Sequence, residues 1–320
     1  MFDVITLGEL LIDFTPLGES DNNNVIYETN PGGAPANVAA ALAKLGKKTA
    51  FIGKVGNDQF GHFLGQVLSD LDINLNGLIY SDEFPTTLAF VHLDPDGERT
   101  FSFYRKHCAD HNLKKEDVRF DLISSSKIFH FGSVSLTHEP SVTATLEAAK
   151  FAKEKGLIIS YDPNLRIPLW DNLNRAKSLI IEGLKYADVL KVSEEELECI
   201  TGTGDPISGS RELYNQYGVP LIFITLGKKG CFIRKGNEIV HVPSFTVNTI
   251  DTTGAGDGFL AGVLSHLVDL GNSLENINMD RLSQIALFAN AVGALATTKR
   301  GGITSLPTNE EVKSFLNDRT

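Results

Sequence analysis

From residue 48 onward, short continuous apolar runs alternate with amphipathic stretches of helical length, and no other feature constrains the fold as tightly. Thr49–Val55 reads as a strand and Phe60–Leu71 as an amphipathic helix capped by Asp58. Lys127–Phe131 and Pro140–Lys155 repeat that unit. Leu157–Asp162 and Ala187–Val192 are further strands with the Lys177–Leu184 helix between them, and Leu221–Thr225 is another strand of buried type. Strands and helices in this rhythm imply a doubly wound α/β fold, a mostly parallel sheet with helices on both faces. Val4-Ile5-Thr6-Leu7, ending in Gly8, adds an early buried strand. Cys231–Arg234 with Ile239–Val242 reads as a hairpin, and Gly256–Leu270, Arg281–Thr297 and Glu310–Leu316 as helices.

Two stretches break the rhythm. Leu11–Pro16 and Val25–Thr29 mix polar and apolar residues around a polar turn, as strands with one wet face do. Thr86–Asp94 and Glu98–Tyr104 form a second pair joined by Asp94-Pro95-Asp96-Gly97, a hairpin turn signal. These four strands, from about 10–30 and 86–105, are expected to form a small sheet outside the main core, a lid or a dimer surface. The rest of 1–320 is expected to be one α/β domain.

In a parallel sheet, ligands bind beyond the carboxyl ends of the strands. Three such ends carry bunched polar groups: Asp162-Pro163-Asn164-Leu165-Arg166, Lys191-Val192-Ser193-Glu194-Glu195-Glu196 and Thr225-Leu226-Gly227. Two glycine-rich stretches open helices. Pro31-Gly32-Gly33-Ala34-Pro35-Ala36-Asn37 precedes an alanine-rich run, with Asn37 either a local cap or a functional side chain. Asp251-Thr252-Thr253-Gly254-Ala255-Gly256-Asp257-Gly258 leads into Phe259, Leu260, Val263, Leu264 and Leu267 at helical spacing. A helix start with small residues makes an anion site from unpaired amides and the dipole. Asp257 would repel an anion there, unless it takes a proton from a second reactant while the amides hold charge, which is phosphoryl-transfer logic. The alternative is a plain glycine-rich helix start with Asp257 as a favourable first-turn charge.

Other chemistries lack their residues. Gly46-Lys47 and Gly227-Lys228 are each followed by Lys, so no Walker A loop is present. Protein-kinase signatures and a Gly-x-Ser-x-Gly elbow are absent, and position 259 is Phe where a dinucleotide fingerprint needs glycine. His107 and His111 are spaced for a metal but sit in apparent loop. The net charge of −11 argues against nucleic-acid binding. No run of about 18 apolar residues and no signal-peptide pattern occurs, and Cys108, Cys199 and Cys231 lie far apart; a reduced cytoplasmic protein is expected.

Together these motifs resemble those of the ribokinase-type (phosphofructokinase-B) sugar kinases. The similarity runs through nearly the whole chain, taking in Phe51–Asp58, Asp162–Arg166 and Phe288-Ala289-Asn290-Ala291, and within the family it is greatest to fructokinases. The resemblance implies Asp257 as general base and the amides of Gly254, Ala255 and Gly256 as anion hole, with the helix dipole keeping Asp257 ionised. It implies that the sugar meets Asp13, Gly32, Gly33 and Asn37, with Arg105 and Arg166 lining the pocket. Lys191, Ser193, Thr225, Gly227, Gly230, Gly256 and Asn290 would lie near ATP, and Glu196 would hold Mg²⁺ through water. Ser193 departs from the family, where Asn commonly stands three residues before that Glu, and Lys191 could compensate by meeting phosphate. A K⁺ site is implied at Asp251, Thr253, Ala296, Lys299, Gly301 and Ser305. The implied reaction is ATP-dependent phosphorylation of the 6-hydroxyl of D-fructose, with 2-keto-3-deoxygluconate as the rival substrate because Arg166 would suit a carboxylate. A ribose or nucleoside substrate, or a sugar-binding protein without turnover, ranks below these. A homodimer through the lid sheets is also expected.

Overall fold

The computed structural model describes residues 1–93, 99–271 and 274–319. Two sheets organise it. The larger has nine strands: β1 (Phe2–Leu7), β4 (Thr49–Gly56), β5 (Asn74–Ser81), β8 (Ser126–Gly132), β9 (Ile158–Asp162), β10 (Val189–Ser193), β11 (Leu221–Thr225), β12 (Cys231–Lys235) and β13 (Glu238–Val242). Their order is β13-β12-β11-β10-β9-β8-β1-β4-β5, parallel from β11 through to β5 and antiparallel at β12 and β13.

Both faces of this sheet are covered, and the strands show it in sequence. Val4 of β1 and Phe51 of β4 point to one apolar core, whereas Ile5, Leu7, Ala50 and Ile52 point to the other. Alternate side chains leave opposite faces of a strand, so a strand buried on both sides must be apolar throughout. The first core is closed by α1 (Ala34–Lys44), α2 (Gln59–Ser69), α8 (Ala255–Leu270), α9 (Met279–Ala296) and α10 (Asn309–Asn317). The second is closed by α3 (Phe120–Ser124), α4 (Ser141–Glu154), α5 (Leu173–Leu184), α6 (Glu194–Thr201) and α7 (Pro206–Tyr217). Each fully buried Leu, Ile or Phe in these layers stabilises by about 1.5–3 kcal/mol.

The expected small sheet is present, with order β3-β2-β6-β7 from β2 (Leu11–Glu19), β3 (Val25–Gly32), β6 (Leu88–Leu93) and β7 (Arg99–Tyr104). The Asp94–Gly97 turn and Glu98 lie outside the described residues. Phe14 stacks on Phe90 at 4.6 Å and meets Phe60 of α2 edge-on at 5.8 Å, pinning the lid to the body. Asp58 does cap α2, accepting from Gly61 N–H at 2.8 Å, and it also holds Thr86 at the entrance to β6. Three elements go beyond the sequence reading: the edge strand β5 and the helices α6 and α7. β5 is half exposed and polar at one end, and α6 and α7 are short, so none shows a long periodic pattern.

The order of the sheet fixes where a site can form. From β1 the chain passes through the lid and α1 to β4 and β5 on one side, then crosses to β8 on the other. The switch point therefore lies between β1 and β8, and the crevice opens above their carboxyl ends.

Candidate active site

A cavity of about 590 Å³ opens above that edge, its lining including Glu9, Asp13, Gly33, Asn37, Asn164, Arg166, Lys191, Glu196 and Asp257. A second, of about 580 Å³, runs over the ends of β11 and β12, where Thr225, Gly227, Gly230, Phe245, Asn290 and Thr297 form part of its wall. Thr225, Thr252 and Gly256 line both. The two chambers thus meet at the first turn of α8.

Gly254 starts that turn in the left-handed region (φ 75°), which costs glycine nothing and swings the chain into the helix. The first regular helical bond runs from Gly258 N–H to Gly254 O, so the amides before it are available. That of Ala255 is already spent on Thr252 O at 3.3 Å, a correction to the expected hole. Lys191 adds a full charge. Its Nζ lies so near α8 that a Cβ on Gly256 would sit 3.1 Å from it, and it is ion-paired with the buried Asp162 at 3.0 Å.

Asp257 is buried and gripped at both oxygens. Asn37 Nδ2 donates to Oδ2 at 2.8 Å and Asn164 Nδ2 to Oδ1 at 3.3 Å, so α1 and the loop after β9 aim one carboxylate. Asn37 is therefore not a local cap. Asn164 sits at φ 46°, a left-handed conformation that Asn tolerates better than most residues. It was quoted in the Asp162–Arg166 stretch, but nothing in that stretch says which polar group reaches Asp257. Burial raises the Asp257 pKa; the Asn37 hydrogen bond, Lys191 and Arg166 oppose this without cancelling it, and Glu196 adds to it. The dipole argument understated desolvation: the carboxylate is a stronger base than a surface aspartate.

The remaining expected residues fall into place unequally. Asp13 is in the first cavity, and burial pushes its pKa up to about 7 against the pull of Arg166. Gly32 lies beneath it, where a Cβ would collide with Asp13 Oδ2. Arg166 is exposed at the wall. Arg105 does not line the pocket. Its Nε pairs with Asp110 at 2.6 Å, and its other nitrogens donate to Thr137 Oγ1 and Val134 O, so it braces the wall from behind. A guanidinium buried to 2% exposure needs all those partners.

Ser193 caps α6 in a reciprocal box with Glu196, and Glu196 Oε1 also accepts from Leu165 N–H at 2.7 Å. The acidic helix start is thus a cap and a cavity wall at once. Asn290 donates to the carbonyls of Val242 and Pro243, positioning the Ser244–Val247 stretch that walls the second cavity and that sequence reading missed. Asp251 ties two loops together, accepting from Thr253 N–H at 2.8 Å and Gly301 N–H at 3.0 Å. Ser305 Oγ donates to Gly302 O nearby, and Ala296 ends α9. Lys299 Nζ points away to Glu311, so any role there rests on its backbone. His111 stacks on His138 at 4.4 Å rather than pairing with His107.

The donor sets fit the implied ions. Asp162, Glu196 and Asp257 surround the single Lys191 charge, and Asp162 is pushed up to about 7 by burial, with Lys191 holding it down. Such excess negative potential favours a divalent cation. Among the described residues no group of three or more His, Cys, Asp or Glu could hold a metal, so the ion would rest on Glu196, ligand oxygens and water, as suits Mg²⁺. Asp251 with carbonyl oxygens is a hard-oxygen set suited to a monovalent ion.

The chain belongs to the pfkB family of carbohydrate kinases, whose family profile matches residues 1–309. It is 43% identical over 315 residues to Fructokinase-2 of Solanum lycopersicum, covering 98% of this chain and 95% of that protein. Among solved structures, the fructokinase of Xylella fastidiosa with bound ATP matches with a TM-score of 0.92 at 32% identity, covering 100% and 99% of the two chains. A fructokinase double mutant of Vibrio cholerae O395, in its fructose-, ADP- and potassium-bound form, matches with a TM-score of 0.88 at 35% identity and 98% coverage of each. The fold and site are those of a ribokinase-like phosphotransferase acting on a sugar alcohol group. No helix among the described residues is long and apolar enough to cross a membrane.

Proposed function

We propose that this chain is an ATP-dependent fructokinase, transferring the γ-phosphate of ATP to the 6-hydroxyl of D-fructose to give D-fructose 6-phosphate and ADP. One observation carries the reading: two chambers of nucleotide and sugar size share the wall at Gly256, with the Asp257 carboxylate lining only one of them. The fructokinase relatives narrow the sugar.

ATP lies in the Thr225–Asn290 chamber with its γ-phosphate at the first turn of α8. Fructose lies against Asp13, Gly33 and Asn37. Asp257 takes the proton as the 6-oxygen bonds to phosphorus and the bond to the ADP oxygen breaks. Base catalysis of this kind is worth about 10²–10⁴-fold. Lys191 and the first-turn amides meet the charge on the transferring group, each aligned donor contributing about 3 kcal/mol. Mg²⁺ beside Glu196 would neutralise phosphate charge. K⁺ at Asp251, Thr253, Ala296, Lys299, Gly301 and Ser305 would stiffen the loop that carries the amides. We take residues 1–320 as one kinase domain with its lid, working in the cytoplasm as a homodimer paired through the lid sheets.

A coupled assay with ATP tests the substrate. D-fructose should exceed other hexoses, ribose, nucleosides and 2-keto-3-deoxygluconate in kcat/KM, and K⁺ should raise the rate over Na⁺. Preference for the keto acid would instead assign Arg166 to a carboxylate and overturn the fructose reading.

A further inference from the structure

Glu9 leaves the carboxyl end of β1, at the switch point of the sheet, and it is 4% exposed. It lines the same cavity as Asp13, Asn37 and Asp257. Its Oε1 accepts from Ala34 N–H at 2.9 Å, satisfying the first amide of α1, whose N-cap Gly33 has no side chain to do so. Its Oε2 is buried and has no hydrogen-bond partner among the described residues. Helix capping explains one oxygen and leaves the other. A neutral side chain could cap without burying a second acceptor, and buried polar atoms are rarely left unmade.

The charges around Glu9 differ from those around the base. Arg105 and Asp110 act on Glu9, whereas Lys191, Arg166 and Glu196 act on Asp257. The two carboxyl groups therefore serve separate parts of one cavity. We propose that Glu9 is a substrate-anchoring residue, whose free oxygen hydrogen-bonds a sugar hydroxyl other than the one phosphorylated. Burial pushes the Glu9 pKa up to about 7, so the group accepts when ionised and donates when protonated, and a hydroxyl complements either form. The role rests on the sugar-kinase reading above and adds a specificity contact to it.

The test is calorimetric titration of D-fructose and its 1-, 3- and 4-deoxy analogues, without ATP, into the wild-type protein and Glu9→Gln. Glutamine keeps an oxygen for Ala34 N–H and removes the acid. Fructose affinity is expected to fall about ten- to hundredfold, and one deoxy analogue should bind both proteins equally because its missing hydroxyl is the partner. The melting temperature of Glu9→Gln at pH 8 should match or exceed wild type, since a buried charge is gone. Unchanged fructose affinity, or an equal loss for every analogue, would sink the anchoring role alone. Failure of the wild type to bind fructose would instead sink the fructokinase reading.

Discussion

Asp257 is held between Asn37 and Asn164, from segments 220 and 93 residues away in sequence. Replacing it by Asn should lower kcat by about 10²–10⁴-fold while leaving ATP affinity unchanged, measured by steady-state kinetics and nucleotide titration. Near-normal turnover would remove the base from the mechanism. The pH dependence is tied to the same grip. A base must be ionised, so activity falls as pH drops through its pKa, and burial has moved that limb above the ordinary aspartate value of 3.8. The Asn37 hydrogen bond opposes the shift. Asn37→Ala should therefore move the acid limb of kcat, at saturating sugar, to higher pH; an unmoved limb would assign it to another group. The motif residues Gly254 to Asp257 were legible because a helix start has fixed local chemistry. Arg105 was not: the same side chain serves a pocket or a brace according to whether Asp110, Thr137 and Val134 reach it first.

Among the elements, the joint between α2 and the lid is held by one side chain. Asp58 accepts from Gly61 N–H, Thr86 N–H and the Thr86 hydroxyl, each at 2.8 Å. Asp58→Ala should cost about 1–2 kcal/mol for the cap alone and speed hydrogen exchange at Thr86 to Leu88. Burial raises the Asp58 pKa, but these donors outweigh it and the net shift is downward. Its stabilisation is thus complete above the unfolded-state pKa near 3.8 and lost as pH falls through the lowered folded value. The gap in melting temperature between wild type and variant should shrink below about pH 4. A gap independent of pH would show that the ionised cap is not what holds the joint. The cap itself was readable, because Asp58 precedes an amphipathic run. Its second task at Thr86 was not, since it joins residues 28 positions apart.

For the whole molecule, the lid sheet leaves Leu17, Val25, Ile26 and Tyr104 exposed on strands β2, β3 and β7 or immediately beside them. Pairing of two lids would cover that apolar surface. Light scattering at micromolar concentration should give twice the 34.8 kDa chain mass, and Ile26→Lys should shift the population to monomer. A wild-type monomer under those conditions would overturn the pairing. Two sheets, their helical layers and the place of the lid were all foreseeable, because strand and helix periods are written locally. The edge strand β5 and the short helices α6 and α7 escaped because contact with neighbours, rather than their own periodicity, stabilises them.

By itself, then, the sequence determined the α/β alternation, the four-stranded lid and the helix start that ends in Asp257. Each follows from propensities and hydrogen-bonding needs within a few residues. Only the tertiary structure decided that Asn37 and Asn164 aim Asp257, that Arg105 stands behind the wall, and that two chambers meet at Gly256. It also decided that Glu9 faces the sugar chamber with one oxygen unused. Those relations join strand ends and loops far apart in the chain, and the order of the strands brings them together.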